Sequence, residues 1–298
     1  TIYVPKIHTS AIAEDTEDHV TEATKDVTIV DTVTYEQLEV GREYTVKGVL
    51  MDKATGKAVL VDGKEVTSET TFTAEEQNGN VDVIFTFDAS ALEGTTTVVF
   101  ETLYTEGKEV AVHADLRDAG QTVYLPKIRT HAQDGINEID HTEALEKATI
   151  IDTVTYTNLL PGKEYTVTGT LMDKETGEAV LIDGKPITAS TTFTAETAEG
   201  SVDIVFEFDA SAIAGTTVVA FESMEYKGIE VAVHADIEDE NQTVYIPDVH
   251  TTATATDTED HVTGANKEVT ITDEVALTGL KVDNEYTIKG VLMDQTTG

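Results

Sequence analysis

Two stretches of the chain carry the same polar residues at the same internal spacing. HADLRDAGQTVYLPKIRT covers residues 113–130, and HADIEDENQTVYIPDVHT covers residues 234–251. Each stretch holds a His, several acids and a Gln, and ends on a Thr. A Thr hydroxyl becomes a useful nucleophile when a neighbouring base takes its proton, and an imidazole suits that task near neutral pH. These residue types therefore permit acyl chemistry, provided that folding brings them together.

The repeated spacing comes from a sequence repeat of 121 residues. TIYVPKIHT at the start recurs as TVYLPKIRT and TVYIPDVHT, so that Thr9, Thr130 and Thr251 are each 121 positions apart. A solenoid repeat runs only about 20–45 residues, so this period indicates consecutive independent domains. Prolines at the same offset mark the junctions. We predict units at residues 1–126 and 127–247 and an incomplete third unit at 248–298, with residues 1–5 alternatively the tail strand of a preceding unit.

Each unit has the pattern of an all-β domain. Segments such as REYTVKGVLMD and VDVIFTFDAS are rich in β-branched and aromatic residues, and turn signals such as ATGK, VDGKE and QNGN separate them. About eight short strands per unit are typical of an immunoglobulin-like sandwich. Short junctions that contain Pro favour a stiff connection. The sequence therefore predicts tandem immunoglobulin-like β-sandwich domains arranged as a rod.

Composition excludes several kinds of partner. The chain has 57 acidic residues against 19 Lys and Arg, a formal net charge of −38. Nucleic acids and anionic membrane surfaces require a positive surface, so neither is expected to bind this segment. The chain contains no Cys, which excludes disulfides and Cys-ligated metals. No apolar run approaches the length of a membrane span. No cofactor and no metal are expected.

A set of polar residues recurs at the 121-residue offset inside strand-like segments. Glu101 in VVFETL and Glu222 in VAFESM lie in apolar runs, which predict burial, and a buried carboxylate needs a partner. Duplication alone also explains such recurrence, and polar residues on sandwich strands usually face solvent. The recurring residues are Thr9, Asp31, Glu101, His113, Asp118 and Gln121 in unit one, and Thr130, Asp152, Glu222, His234, Asp239 and Gln242 in unit two.

These motifs resemble those of the Thr–Gln ester-bond domains, or VaFE repeats, of Gram-positive surface adhesins. VAFE stands at residues 219–222, with the variant VVFE in unit one, beside IRT or IHT, DTVTY, YTVKGVLMD and H-A-D-x-x-D-x-x-Q-T-V. The resemblance covers units one and two completely, and unit three as far as it extends. It implies an extracellular, cell-wall-anchored protein. The expected partners are adjacent repeats of the same chain, and a host-surface ligand through other regions of the parent protein.

The resemblance also implies an autocatalysed, single-turnover cross-link in each complete unit, and so no turnover enzyme. The implied esters join Thr9 to Gln121 and Thr130 to Gln242, in a structural stalk. The implied acid pairs are Asp31 with Glu101 and Asp152 with Glu222, and the implied bases are His113 and His234. Two adjacent carboxyls in an apolar site cannot both ionise easily, so one keeps a proton that can stabilise an oxyanion. Asp118 and Asp239 are expected to orient the turn before each Gln.

Rival interpretations remain open. A Lys–Asn isopeptide is the nearest alternative cross-link, although Lys47 of unit one is replaced by Thr168 in unit two. A ligand-binding immunoglobulin-like adhesin module, without cross-links or with Ca²⁺ sites, is the alternative from another class. The acidic stretches of the chain lack the regular D-x-[DN]-x-[DN]-G spacing of a Ca²⁺ loop. A turnover enzyme is disfavoured because no G-x-S-x-G motif occurs.

The third unit contains only part of the predicted site. Thr251 and Asp273 align with the nucleophile and the first acid. The positions of the Glu, the His and the Gln are not present in residues 248–298. We therefore expect this unit to be unable to form the ester alone, and to be disordered or to need a partner. Because Thr1 aligns with two Thr residues that follow a Gln, we also expect a Gln before Thr1 in the parent protein.

Overall fold

The computed structural model describes residues 2–297, in which β-strands alternate with loops and three short 3-10 helices. The prediction of an all-β protein is confirmed. In unit one the strands are β1 Lys6–Ala13, β2 Val27–Glu36, β3 Glu43–Asp52, β4 Lys57–Ala58, β5 Leu60–Val61, β6 Lys64–Glu65, β7 Thr67–Thr73, β8 Gly79–Phe87, β9 Thr96–Thr105, β10 Lys108–His113 and β11 Thr122–Tyr124, with a 3-10 helix at Ala119–Gln121.

Unit two repeats these elements almost one for one. Its strands are β12 Lys127–Asp134, β13 Ala148–Thr157, β14 Glu164–Asp173, β15 Leu181–Ile182, β16 Lys185–Pro186, β17 Thr188–Thr194, β18 Gly200–Phe208, β19 Thr217–Tyr226, β20 Ile229–His234 and β21 Thr243–Tyr245. Its 3-10 helices are Ala210–Ile213 and Glu240–Gln242. Unit three contributes a hairpin of β22 Asp248–Ala255 and β23 Ile271–Thr278.

Each complete unit is built from two main antiparallel sheets. In unit one the first sheet has the order β1-β2-β8. The second has the order β10-β9-β3-β4, with β7 also paired to β3 and β11 also paired to β9. Unit two has the matching sheets β12-β13-β18 and β17-β14-β19-β20, with β21 on β19. The first and last strands of each unit therefore lie in different sheets, and any bond between them joins the two halves of the domain.

The alternation of side chains along β2 places an acid in the core. Val27, Ile29, Val33 and Tyr35 all face inward and are buried. Asp31 occupies the inward position between Ile29 and Val33 and has no exposed surface. Because successive side chains of a strand point to opposite faces, an acid in this register cannot reach water without breaking the pattern. A polar group in the core requires a partner across the sandwich.

A glycine makes room for an aromatic ring next to another buried acid. Gly48 on β3 pairs directly with Glu101 on β9. Any Cβ at Gly48 would collide with the ring of Phe85. The ring therefore packs against the backbone beside Glu101 and helps to keep water away from its carboxyl group. Gly169 and Phe206 repeat this packing beside Glu222 in unit two.

The two ends of the chain differ from the expected pattern. Residues 2–5 form no strand, whereas the equivalent Thr122–Tyr124 pairs with β9 of its own unit. The alternative assignment of residues 1–5 as the tail strand of a preceding unit stays a prediction, and Thr1 lies outside the described residues. In unit three, YTIKGVLMD forms no strand because this sequence holds no equivalents of β7 and β9 to pair with it.

No helix within residues 2–297 combines the length and the apolar character needed to cross a bilayer.

Candidate functional site

The candidate site of unit one lies where the first strand meets the last elements of the domain. Thr9 is on β1, which pairs with β2 in the first sheet and contacts β10, the 3-10 helix and β11 across the sandwich edge. Glu101 is on β9 and pairs directly with His113 on β10. Gln121 ends the 3-10 helix and is fully buried. The fold thus collects residues from both sheets at one edge.

The Thr hydroxyl and the Gln carboxamide converge on one carboxyl oxygen. Thr9 Oγ1 donates a hydrogen bond to Glu101 Oε2 at 3.1 Å. Gln121 Nε2 donates to the same oxygen at 2.8 Å. Glu101 has no exposed surface. The prospective nucleophile and acyl donor are therefore held by a shared buried acceptor, which is the arrangement that makes a reaction effectively unimolecular.

Unit two has the same arrangement with a direct contact added. Thr130 Oγ1 donates to Glu222 Oε2 at 3.1 Å. The side-chain amide of Gln242 contacts both Thr130 Oγ1 and Glu222 Oε2. Both Gln242 and Glu222 are buried, and Thr130 is only 8% exposed. The hydroxyl and the carboxamide of unit two are thus in direct contact.

A second buried acid faces each of these Glu residues. Asp31 contacts Glu101, and Asp152 contacts Glu222, within hydrogen-bonding distance. Among residues 2–297, no other group makes a hydrogen bond of normal geometry to either Asp31 oxygen or to Glu101 Oε1. One proton shared by the two carboxyls satisfies these atoms together. Two ionised carboxylates in this apolar space would have no counter-ion to offset their burial.

The pKa values of both acids are raised in this buried site. Burial raises the pKa of Glu101, and the hydrogen bond and charge of Asp31 raise it further. Burial also raises the pKa of Asp31, although the hydrogen bond to Glu101 opposes the rise. In unit two, burial and the charge of Asp152 raise the pKa of Glu222 in the same way. Each pair therefore keeps a proton near neutral pH, and the Glu is its main carrier.

A pH-dependent stability follows from this proton. In the variant with Thr9→Val and Thr130→Val, which cannot cross-link, we expect stability to fall as pH rises above about 4.3, the ordinary Glu pKa. Because the pKa of the Glu in each pair is raised in the folded state, the stabilisation from its proton is fully present below about pH 4.3. This stabilisation is lost as the pH rises through the folded-state pKa. The slope is about 1.4 kcal/mol per pH unit for each proton. Urea unfolding at pH 5 and pH 8 measures it.

The control for this prediction removes the proton carriers. Adding Glu101→Gln and Glu222→Gln should flatten the slope, because an amide takes up no proton. Equal slopes with and without these two changes would contradict the assignment of a shared proton.

The Gln carbonyl oxygen is the remaining unsatisfied atom of the site. Gln121 Oε1 is buried and has no hydrogen-bond partner in the part of the chain that the structure describes, and the same holds for Gln242 Oε1. Rotation of the carboxamide by half a turn exchanges its oxygen and nitrogen at nearly the same positions. The carbonyl oxygen then faces Glu101, from which a protonated carboxyl can donate. That donor is what a tetrahedral oxyanion at this carbon requires.

The His of each unit is held by an Asp. His113 Nε2 lies 2.8 Å from Asp118 Oδ2, and His234 Nε2 lies 2.9 Å from Asp239 Oδ2. Both rings are about one-fifth exposed, so they sit at the mouth of the site. Within residues 2–297, Thr9 Oγ1 bonds to Glu101, and no hydrogen bond joins it to His113. The structure thus places the imidazole beside the acid pair rather than on the hydroxyl.

Asp118 combines two tasks. Its Oδ1 accepts from Gly120 N at 2.8 Å and caps the 3-10 helix, while Oδ2 bonds to His113. Its backbone oxygen accepts from the hydroxyl of Thr122 at 2.7 Å. Asp118 therefore contacts both the turn before Gln121 and the His, and the second contact was not expected from the sequence.

In each unit, a lysine that bonds to the residue after the Gln was not identified from the sequence. Lys53 Nζ donates to Thr122 Oγ1 at 3.0 Å, and Lys174 donates to Thr243 Oγ1 at the same distance. Both Thr side chains are buried. Their recurrence in MDK and QT at the 121-residue offset was the available signal.

A family model for the T-Q ester bond containing domain matches residues 5–125, 126–246 and 247–298. The chain belongs to this family. The three matched segments account for almost the whole sequence and follow the same 121-residue period as the site residues. The family is defined by a cross-link within the domain, and not by catalytic turnover. No curated protein matches the chain.

Solved structures that match this chain with low TM-scores include two bacterial proteins. A bacterial adhesin from Mobiluncus mulieris, described as containing intramolecular disulfide, isopeptide and ester bond cross-links, is 16% identical, with 92% of this chain and 97% of that chain covered and a TM-score of 0.37. The C-terminal domain of the Streptococcus agalactiae AgI/II polypeptide BspA is 11% identical, with 77% and 98% covered and a TM-score of 0.36.

The third ester-bond unit holds its two candidate residues in the register of the complete units. Thr251 pairs with Val275 as Thr9 pairs with Val33, and Asp273 pairs with Ala253. Both Thr251 and Asp273 are exposed. The hairpin is formed, and residues of unit three contact unit two through Lys281 and Tyr286. Its β1–β2 geometry is present without the opposite sheet that buries the site in the complete ester-bond units.

Lys47, the candidate residue for a Lys–Asn isopeptide, lies at the surface of unit one. Lys47 is more than half exposed and pairs with Glu69 at 3.1 Å, so it does not face a buried Asn or acid as an isopeptide would require. Across residues 2–297, no group of three or more His, Asp or Glu side chains has an arrangement that could hold a metal ion.

Proposed function

We propose that each complete unit forms one ester, Thr9–Gln121 in unit one and Thr130–Gln242 in unit two, and that the chain is a structural stalk of a bacterial surface adhesin or fibre. The observation that carries the proposal is the meeting of hydroxyl and carboxamide on one oxygen of a buried carboxyl, repeated in both units.

The reaction balances without any co-reactant. Thr9 Oγ1 attacks Cδ of Gln121, the Cδ–Nε2 bond breaks, and ammonia leaves with the hydroxyl proton. The protonated Glu101 stabilises the oxyanion, since its proton is already held in the site. We assign the base to His113, which Asp118 orients and whose position directly across from Glu101 lets it relay the proton. The product stays in the chain, so each unit reacts once.

Burial protects the product. Gln121 and Glu101 are fully buried, and Thr9 is half-buried between the sheets. Water that reached the site would hydrolyse an ester, and a closed site excludes it. In a protein without Cys, an ester is a covalent brace that needs no oxidising environment to form.

The stalk assignment rests on where the bond lies. Each ester would join the first strand of a unit to the turn before its last strand, so tension applied to the ends passes through the bond. Tandem units with this brace supply length and strength together. We place such a stalk outside the cell, anchored to the wall of a Gram-positive bacterium.

Peptide mapping of a His113→Ala variant tests the assignment of both bond and base. We expect proteolysis of the wild-type chain to yield two cross-linked peptide pairs, one from each unit. Removal of a general base slows such reactions by about 10²–10⁴-fold. The unit-one pair should therefore be missing from freshly purified variant, while the unit-two pair remains as an internal control. Linked unit-one peptides at the wild-type level would refute the role of His113, and the absence of both pairs from wild type would refute the esters.

A further inference from the structure

The loop after β1 of unit one is docked into unit two. Asp18 Oδ2 receives hydrogen bonds from three side chains of unit two: Tyr226 Oη at 2.7 Å, Lys227 Nζ at 3.1 Å and Lys163 Nζ at 3.2 Å. Val20, two residues on, has no exposed surface and packs into the hydrophobic core of unit two. One charged residue, Asp18, and one apolar residue, Val20, of unit one therefore both contact unit two.

The loop is organised by hydrogen bonds between its own residues. Thr16 Oγ1 donates to the backbone oxygen of Val20, and Thr21 Oγ1 donates to Asp15 Oδ2 at 2.7 Å. Residues 15–21 have the sequence DTEDHVT, which recurs unchanged at residues 257–263 of unit three. There the same two internal bonds form, but Val262 is 72% exposed. The loop keeps its shape without a partner, so its shape is a property of its sequence.

The receiving positions are specific to unit two. The positions equivalent to Lys163, Tyr226 and Lys227 are Arg42, Thr105 and Glu106 in unit one. Arg42 is already bonded to Glu106 and to Thr105. The phenol and one of the two ammonium groups are thus missing from unit one, and the remaining cation is neutralised.

The junction between units two and three uses different contacts at the same place. Ile139 replaces Asp18 and is 50% exposed. Its neighbours make the junction instead, with Asp140 2.7 Å from Lys281 Nζ and His141 Nε2 2.7 Å from Tyr286 Oη. The loop sequence therefore differs between the two junctions, and the position of Lys163 is Asn284 in unit three.

We propose that residues 15–21 are a docking element keyed to the socket of Lys163, Tyr226 and Lys227, and that this pairing fixes the orientation of unit one on unit two. The charge of Asp18 is matched to the two ammonium groups and the phenol, while Val20 supplies apolar burial. The pairing is independent of the ester bonds, since neither partner belongs to a cross-linking site. The contact between these neighbouring units therefore depends on matched side chains as well as on the order of the units in the chain.

Single-molecule energy transfer between equivalent positions of the two units tests this. The chain contains no Cys, so Lys64→Cys and Lys185→Cys provide two unique, exposed labelling sites. We expect one narrow distance distribution in the otherwise unchanged chain. Asp18→Asn keeps an oxygen for the backbone amide of His19 but weakens the bonds to unit two, and it should broaden the distribution.

The chain supplies a matched control and a rescue. Asp260→Asn changes the identical loop of unit three, whose Asp makes the same local bond to His261, and it should leave the distribution narrow. Asp18→Lys should broaden it strongly, and Lys163→Glu with Lys227→Glu should narrow it again. A distribution as narrow in Asp18→Asn and Asp18→Lys as in the parent would overturn the proposal. The mass deficit from ammonia loss, taken relative to each variant's own sequence, is unaffected by these changes, so a failure here is separate from a failure of the esters.

Discussion

Replacing the nucleophile of unit two should lower the melting temperature of that unit by about 15–20 °C. Thr130→Val prevents the ester, which would close a loop between two residues 112 positions apart. In the chain-entropy model, a cross-link over about 100 residues stabilises a domain by roughly 5 kcal/mol. In a domain of this size, 1 kcal/mol corresponds to about 4 °C. Differential scanning calorimetry of the full chain should show the unit-two transition shifted and the unit-one transition unmoved.

Two substitutions separate the ester from the hydroxyl's other contacts. Thr130→Ser keeps a hydroxyl and should keep both the ester and the melting temperature. Thr243→Val removes a buried hydroxyl that donates to the backbone oxygen of Asp239 at 2.9 Å and accepts from Lys174 Nζ at 3.0 Å, and it leaves the reacting groups in place. It should lower the transition by only about 8 °C, as expected for two hydrogen bonds of about 1 kcal/mol each. A loss in Thr130→Val no larger than that in Thr243→Val would contradict a covalent contribution.

Stretching the protein should give the largest difference between linked and unlinked chains. With both esters formed, a force applied at the ends cannot extend the residues between each Thr and its Gln. In the variant with Thr9→Val and Thr130→Val, each complete unit should release up to about 400 Å of hidden chain, because 112 residues extend by as much as 3.6 Å each. Atomic force spectroscopy measures these steps directly.

The single variants show how many long extension steps each unlinked unit contributes in that experiment. Thr9→Val alone and Thr130→Val alone should each show one long step, and wild type should show none. Long steps at the same frequency in wild type would mean that tension does not pass through a covalent bond, and the stalk proposal would lose its mechanical basis.

Much of the fold was readable from the sequence because strand periodicity is local. The inward position of Asp31 follows from the alternation of Val27, Ile29, Val33 and Tyr35 in one strand. The burial of Glu101 follows from the apolar residues around it. The 121-residue period gave the number of units without any structural knowledge. These features depend on neighbours within a few residues, which a sequence displays directly.

The details of the site were less accessible because they depend on side chains far apart in the chain. Nothing in the spacing shows that Thr9 and Gln121 share one oxygen of Glu101, or that Asp118 bonds to His113 while capping a turn. The pairing of Thr with Gln came from the family resemblance. The Asp18 junction was unreadable for the same reason, since Tyr226 lies 208 positions away in sequence.

Unit three shows the limit of local propensity. EYTIKGVLMD has nearly the same sequence as the segment that forms β3, yet it forms no strand. The equivalent strand in unit one is held between β7 and β9, and a strand without neighbours leaves its backbone groups unpaired. Tertiary partners, and not β-branched residues, decide its state.

The intact mass of the denatured chain tests the central claim most directly. Each ester formed with loss of ammonia lowers the mass by about 17 Da. We predict a wild-type mass about 34 Da below that of the plain sequence, and about 17 Da below in each of the Thr9→Val and Thr130→Val variants, relative to their own sequences. A wild-type mass equal to that of the plain sequence would contradict the account, and the buried Thr, Glu and Gln would then be a hydrogen-bonded part of the core.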